Sequence, residues 1–575
     1  LSLARTKWPS KDRCSSGVYT TNLMSSNSPD SSLLRTHRQK AGYEAGLIAC
    51  ATILTMVVQF LLTSHNAAYF ADPLMYLSGA RSLASGQGYG FACYIDHPPI
   101  GTYPPLQSLW LSFSYRFGPP FPQNLDWLLG QMLVLSGVCL FLGQLYLRRL
   151  GAPLWATVLF AAAWGTSAHW VMLISWFWSD IGFSALIFAL LLWWVTKPSP
   201  ERLQGWAFTG LILSAAYLWR TAALSLIGIA FLAAVWRMVR YREAAPLFAV
   251  ALPVACAMAF WKWMTHDAIG YGLILKYLLQ DLGGVKGYVL YLQAAASELL
   301  SGRTAWNMFC EAYGFIPEVL HERAPLLAPV AYFLSMGIFW LLGATAGWGL
   351  WNLRKSSWNQ ILFAGWLGYL AQMVAPACNP VQYPRYLFPV LIVPLGWFIT
   401  GVSKLPDKIR RPAKMLILAL LVGAVGLNLR YTPKTTRHWE KFMPASELKE
   451  VADFIRSSLP AEALIAMDYR LPAEQLSVAT GREFLTDYFS PSAGMTPVQH
   501  HQQGNRTADY LLTSQIKAPA DFGAYEPPTN FPVVLLTSGG AFKLVQVPKG
   551  VTPAPVKPLV NESLSGVSGL KKSDR

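Results

Sequence analysis

Along this chain, stretches of roughly 20 apolar residues recur with almost no charge inside them, the length an α-helix needs to cross a bilayer. Such windows fall at about 45–63, 125–147, 152–172, 179–196, 203–219, 221–236, 244–263, 326–350, 358–375, 386–402 and 414–429. The pattern predicts about eleven transmembrane helices. Two long segments interrupt it, 64–124 and 264–325. Beyond about 430 the periodicity changes: SELKEVADFIRSSL spaces its apolar residues as an amphipathic helix, whereas ALIAMD and FPVVLLTS read as strands. Residues 431–550 are therefore expected to form a small α/β domain. The Ser-rich, basic stretch 1–44 and the Pro-, Ser- and Lys-containing stretch 551–575 carry no such pattern and read as disordered tails.

Composition agrees with this division. The 575 residues are 53% hydrophobic and 13% charged, about half the charged share of a typical soluble domain. A soluble enzyme, a coiled coil and a wholly disordered chain are excluded. The net charge of +16 would suggest nucleic acid in a soluble protein, so its location matters. With the N-terminus cytoplasmic, the inner connections hold Arg148 and Arg149, Lys197 and Arg202, Arg237, Arg240 and Arg242, Arg354 and Lys355, and Lys404, Lys408, Arg410, Arg411 and Lys414. The short outer connections hold only Arg220 and Arg385. This is the positive-inside pattern, and it places 64–124, 264–325 and the C-terminal domain on the extracytoplasmic side. A multi-pass protein of the bacterial inner membrane is expected, with a periplasmic C-terminus and no nucleic-acid partner.

Candidate chemistry concentrates on that outer side. Asp72 stands where the first span leaves the membrane, at the start of a helix-like segment closed by Gly86 and Gly88. Spacing alone fits equally a helix cap and an acid-base group at the lipid interface. Asp96 and His97 precede Pro98 and Pro99, where paired prolines impose a rigid bend. They fit a shared proton, a metal ligand or a solvated loop pair. Asp180 opens the fourth span, as a cap, a metal ligand or a partner for Arg220. Arg220 and Arg385, isolated cations at span ends, suit phosphate recognition as well as snorkelling to headgroups. Trp176, Trp178, Trp261 and Trp263 read as an interfacial aromatic belt. Of the seven cysteines, Cys93, Cys310 and Cys378 fall on the outer side, where one bridge is allowed. Walker A, GxGxxG after a strand and HExxH are missing from the sequence.

The run Asp72, Tyr76, Ala80, Leu83, Gly86, Gly88, Tyr89, followed by YPPL and a later FG, resembles the first-loop signature of the GT-C membrane glycosyltransferases. It is most similar to bacterial relatives of the dolichyl-phosphate-mannose protein mannosyltransferases, including the lipid A aminoarabinose transferases. SWFWSDIGFSAL, YLWRTAALSLIGIAF and QYPRYLFPVLIVPLGW fit the same pattern in the same order, so the resemblance covers residues 45–430. Two departures stand out: Pro73 follows Asp72 where many relatives carry a second acid, and either Asp96-His97 or Tyr103-Pro104-Pro105 stands where a Glu-Lys pair before a double proline occurs in them.

The resemblance implies a polytopic all-α GT-C-like membrane domain and an inverting transfer of a sugar from a polyprenyl-phosphate donor to a lipid, glycan or protein acceptor. Asp72, Asp180 and Asp96 are then the catalytic candidates, with Asp72 the general base. Arg220, Arg385 and His97 are the lipid-phosphate candidates. No metal ligand set is assigned, and a divalent metal stays open as cofactor. The competing reading is a polytopic transporter or flippase, for which internal repeats and broken helices with midplane polar groups would be the signs.

Overall fold

The computed structural model describes residues 31–63, 71–101, 103–196, 203–265, 289–290, 293, 327–374, 383–440, 445–467, 473–486, 508–514, 532–540 and 542–548. The expected loop 264–325 lies almost wholly outside them and the tail 551–575 wholly so, as do residues 1–30, whereas residues 31–44 of the expected N-terminal tail are helical. The chain divides into two units, Leu1–Cys50 and Ala51–Arg575. The first contributes the N-terminal part of helix α1 (Ser31–Leu62).

The second is a helical bundle carrying a small sheet. Its helices are α2 (Ala71–Ala84), α3 (Leu106–Phe117), α4 (Leu125–Arg149), α5 (Leu154–Gly165), α6 (Ala168–Ser175), α7 (Asp180–Thr196), α8 (Leu203–Trp219), α9 (Leu224–Tyr241), α10 (Ala245–Thr265), α11 (Leu327–Asn352), α12 (Ser357–Tyr369), α13 (Tyr383–Ser403) and α14 (Asp407–Glu440). Each apolar window of the sequence lies on one of these or on a bent pair. Among the described residues five helices are long and apolar enough to span a bilayer, and α5 with α6, bent by 58°, makes a sixth. Small residues let helices close on one another, as in membrane bundles generally. Gly349 of α11 faces the Trp397 carbonyl of α13, and Gly401 of α13 faces the Thr345 carbonyl of α11, so a Cβ at either would collide with backbone. Three of the four belt tryptophans, Trp176, Trp178 and Trp261, are packed in the interior, and Trp263 alone of them is exposed. Neighbouring rings claimed them, for example Trp176 edge-on to Trp178 at 5.5 Å.

The window at 152–172 breaks at Thr166 and Ser167. Ser167 restarts the helix as N-cap, accepting from Trp170 N at 3.4 Å. Carbonyls released by such a break have no water to turn to in lipid and must find partners inside the protein. Gln59 Nε2 donates to the Gly165 carbonyl at 3.0 Å. Asn428 Nδ2 donates to the Ala163 carbonyl at 2.7 Å, and Thr432 Oγ1 to the Thr166 carbonyl at 2.9 Å. Ser136 and Trp170 complete the network, with Ser136 Oγ donating to Gln59 Oε1 at 3.0 Å and Trp170 Nε1 to Ser136 Oγ at 2.8 Å.

After α14 come α15 (Ala445–Ser458), α16 (Ala473–Thr480) and strands β1 (Ile465–Met467), β2 (Leu485–Thr486), β3 (Tyr510–Ser514), β4 (Val533–Leu536) and β5 (Phe542–Gln546). The sheet order is β2-β1-β3-β5-β4, parallel from β2 to β3 and antiparallel from β3 to β4. Alternation along the strands sends Ile465 and Met467 to one face and Ala466 to the other. The first face is shared with a distant segment: Met75, Tyr89, Phe91, Cys93, Tyr94 and Ile100 pack with Ile465, Met467, Leu476, Phe484, Leu512 and Leu544 in one core. Tyr94 and Phe484 form a parallel bridge, with Ile95 N on the Phe484 carbonyl and Phe484 N on the Cys93 carbonyl, each at 3.0 Å. Residues 89–100 thus pack against the C-terminal sheet. Cys93 is a buried free thiol, pushed up in pKa by that burial. Cys310 and Cys378 lie outside the described residues.

Candidate active site

Asp180 begins α7 and Arg220 follows the last residue of α8. The two helices are joined by a short connection and pack antiparallel, so these ends meet. Arg220 leaves the helix in an extended conformation (φ −159°, ψ 131°) before the 3-10 turn Thr221–Ala223. Its Nη1 donates to Asp180 Oδ1. Asp180 is 0% exposed and Arg220 7%, so the pair is removed from water, where a charge must be neutralised by close partners. The approach depends on Gly182, whose Cβ would overlap the Trp219 ring.

The segment before Asp180 explains how its carboxylate is aimed. α6 ends in a Schellman turn, with Phe177 N on the Ile174 carbonyl and Trp178 N on the Leu173 carbonyl, both at 3.1 Å. The residue in the left-handed position is Phe177, φ 55°. Glycine usually fills that position, and a bulky side chain there costs about 1–2 kcal/mol. Strain of this kind persists only where surrounding contacts over-determine it. Here Gln107 Nε2 of α3 donates to the Phe177 carbonyl at 2.9 Å, and the Trp219 indole donates to Gln107 Oε1 at 2.9 Å.

Helix α2 covers the same end of the bundle. The Tyr76 hydroxyl lies 2.8 Å from Ser179 Oγ, and its ring meets Tyr103 edge-on at 5.4 Å. Tyr89 donates its hydroxyl to the Tyr103 carbonyl at 3.0 Å, and burial raises the Tyr89 phenol pKa. Opposite, the π-helical turn Leu370–Val374 brings Gln372 to the turn after Arg220. Ser225 N donates to Gln372 Oε1 at 3.0 Å, and Gln372 Nε2 donates to the Thr221 carbonyl at 3.2 Å. Single π turns recur at functional sites.

The sequence-derived candidates distribute as follows. Asp180 and Arg220 are brought together. Asp72 lies in the first turn of α2, one helical turn ahead of Tyr76, and Arg385 in the first turn of α13; the side chains of both lie outside those described. Asp96 and His97 lie beside the C-terminal sheet. Both sit in left-handed conformations, φ 64° and 42°. His97 Nε2 lies 3.2 Å from Glu483 Oε1, and Asp96 is exposed. Among the described residues no three His, Cys, Asp or Glu side chains gather as a metal-binding group, and the Asp180 carboxylate is engaged by Arg220. Gln107 and Gln372 were not singled out from sequence. An amide inside an apolar run has no charge to mark it, although Gln107 directly follows the YPPL element.

No family model matches the chain, and no curated protein matches it in sequence. Solved structures do. ArnT from Cupriavidus metallidurans bound to undecaprenyl phosphate is 13% identical, with a TM-score of 0.51, over 89% of this chain and 99% of that one. The Archaeoglobus fulgidus oligosaccharyltransferase complex with Zn and sulfate is 11% identical, with a TM-score of 0.48, over 81% of this chain and 68% of that one. The ArnT alignment, running nearly the full length of both chains, shows that this chain shares the fold of that structure.

Proposed function

We propose that the protein is an inverting membrane glycosyltransferase that moves a sugar from a polyprenyl-phosphate donor to a lipid, glycan or protein acceptor at the periplasmic face of a bacterial inner membrane. The buried Asp180–Arg220 pair carries the reading. It sits at adjoining helix ends, beneath the α2 segment that bears the Asp72–Tyr76 signature. A shared fold with a protein solved with undecaprenyl phosphate supports the choice of donor. About eleven spans, a cytoplasmic N-terminus and a periplasmic C-terminal domain complete the proposed topology.

In this mechanism the acceptor O–H gives its proton to the Asp72 carboxylate as its oxygen attacks the anomeric carbon. The C–O bond to phosphate breaks on the opposite side, and the electron pair leaves with the polyprenyl phosphate. Arg220 and Arg385 meet the charge that develops on that phosphate, where a dry setting strengthens each hydrogen bond. Asp180 holds Arg220 in place. No step passes through a metal. We assign Asp96 and His97 to the contact with the C-terminal sheet, because His97 faces Glu483.

A transporter would use a broken helix to offer free backbone groups to its cargo. The break at Thr166 instead has its carbonyls occupied by Gln59, Asn428 and Thr432. The deciding experiment supplies purified protein with a panel of polyprenyl-phosphate sugars and acceptors. Sugar transfer with anomeric inversion, lost in Asp72→Asn, is expected. Movement of the lipid across the bilayer without cleavage of the sugar–phosphate bond would replace this reading with transport.

A further inference from the structure

Gln107 touches both segments that carry the charge pair. It is fully buried in the first turn of α3. Its amide donates to the Phe177 carbonyl, three residues before Asp180, and accepts from the indole of Trp219, the residue immediately before Arg220. The same nitrogen lies 3.3 Å from Met132 Sδ. One side chain thus bridges the strained turn leading into α7 and the end of α8.

From this geometry we propose that Gln107 is a positioning residue for sugar transfer: it fixes the separation and tilt of Asp180 and Arg220, and so the direction in which the guanidinium presents its remaining N–H groups to the leaving phosphate. This role rests on the glycosyl-transfer reading of the site. The chemistry of the amide fits it. Only a group that both donates and accepts satisfies a carbonyl on one side and an indole N–H on the other. Methionine fills the same volume and would preserve the packing of α3 against α4, but it leaves both partners without a hydrogen bond. Packing alone therefore does not require glutamine here. Orientation does, and a misplacement of about 1 Å lowers turnover by as much as about a hundredfold.

The test uses full-length Gln107→Met, Gln107→Glu, Trp219→Phe and the Gln107→Met/Trp219→Phe double variant in lipid nanodiscs. Gln107→Met is expected to lower kcat about tenfold or more while donor KM moves by less than about threefold. The double variant should be no worse than Gln107→Met to within about twofold, since both break one bridge. In Gln107→Glu the ionised carboxylate cannot donate to the Phe177 carbonyl, so turnover relative to wild type at the same pH should recover as pH falls and the carboxyl regains its proton. A lowered thermal midpoint with unchanged kcat per folded molecule, or no recovery at low pH, overturns the proposal.

If the wild type transfers no sugar from any donor, the glycosyl-transfer reading fails by itself. Amide hydrogen exchange then decides the role of Gln107. Faster exchange in Gln107→Met within both 176–184 and 216–223 supports the bridging role, and unchanged exchange there overturns it.

Discussion

Among the described residues two arginines meet a fully buried carboxylate, and the two pairs are built differently. Arg220 and Asp180 are hydrogen-bonded, lie at the ends of adjoining bundle helices, and are framed by Gln107, Trp219, Tyr76 and Gln372. Arg81 and Glu474 join α2 to α16 at the C-terminal sheet. There Arg81 Nε stands 2.6 Å from Glu474 Oε1, but that nitrogen and both carboxylate oxygens lack well-formed hydrogen bonds. Arg81 bonds instead through Nη2 to the Ala92 carbonyl at 2.7 Å and to Ser477 Oγ at 3.2 Å. The first pair is held by neighbours that fix direction, as the proposed chemistry on a phosphate would need. The second is a neutralising contact within an apolar seam, and it needs only proximity.

The largest effect expected to separate them is on turnover. Arg220→Lys keeps the charge but loses the planar fork, and sugar transfer should fall by about a hundredfold with the thermal midpoint nearly unchanged. Arg81→Lys should leave turnover within about threefold. Equal losses in a side-by-side transfer assay would erase the distinction. Stability should not separate them, because Asp180 and Glu474 are both fully buried. Removing the cation beside a fully buried carboxylate costs about 3 kcal/mol, so Arg81→Ala should loosen the seam, seen as faster proteolysis between residues 85 and 101. Adding Glu474→Leu should restore much of the loss.

A smaller effect follows from titration. Burial pushes the Glu474 carboxyl above its ordinary range, and Arg81 and the nearby Ser78 offset only part of that. A group with a raised folded pKa lends stability that is complete below its unfolded pKa and is lost as pH rises through the folded one. Protection at the seam, taken as exchange corrected for its base-catalysed intrinsic rate, should therefore fall as pH rises from about 4.5 through that value, and Glu474→Gln should flatten the profile. Asn428→Ala, which touches neither pair, should cost about 1–2 kcal/mol of stability and leave transfer intact.

Much of this architecture is legible in the sequence because lipid imposes it. Apolar windows became helices where they were expected, and the rarity of charge at span ends pointed to Asp180 and Arg220. Antiparallel neighbours joined by a short connection then had to bring the start of α7 and the end of α8 together. The seam was not legible. Phe91, Cys93 and Tyr94 look like ordinary loop residues, and their partners Phe484 and Leu512 lie hundreds of positions away, with no periodicity linking them. His97 was drawn toward phosphate by its place before a double proline, whereas a left-handed turn and Glu483 set where it lies. The break at Thr166 was hidden because Gly165, Thr166 and Ser167 barely dent the hydropathy of their window.

That break also bears on how the molecule is assembled. Asn428 and Thr432 close it from 265 and 266 positions downstream. While the chain is being threaded into the membrane, the Ala163 and Thr166 carbonyls must wait for these partners until nearly every later helix has emerged, whereas Gln59, already made, serves Gly165. A ribosome stalled before α14 would release a bundle that had not closed. The order of synthesis thus makes α14 the clasp, and a chain that lacks it should be recognised by membrane quality control as unfinished.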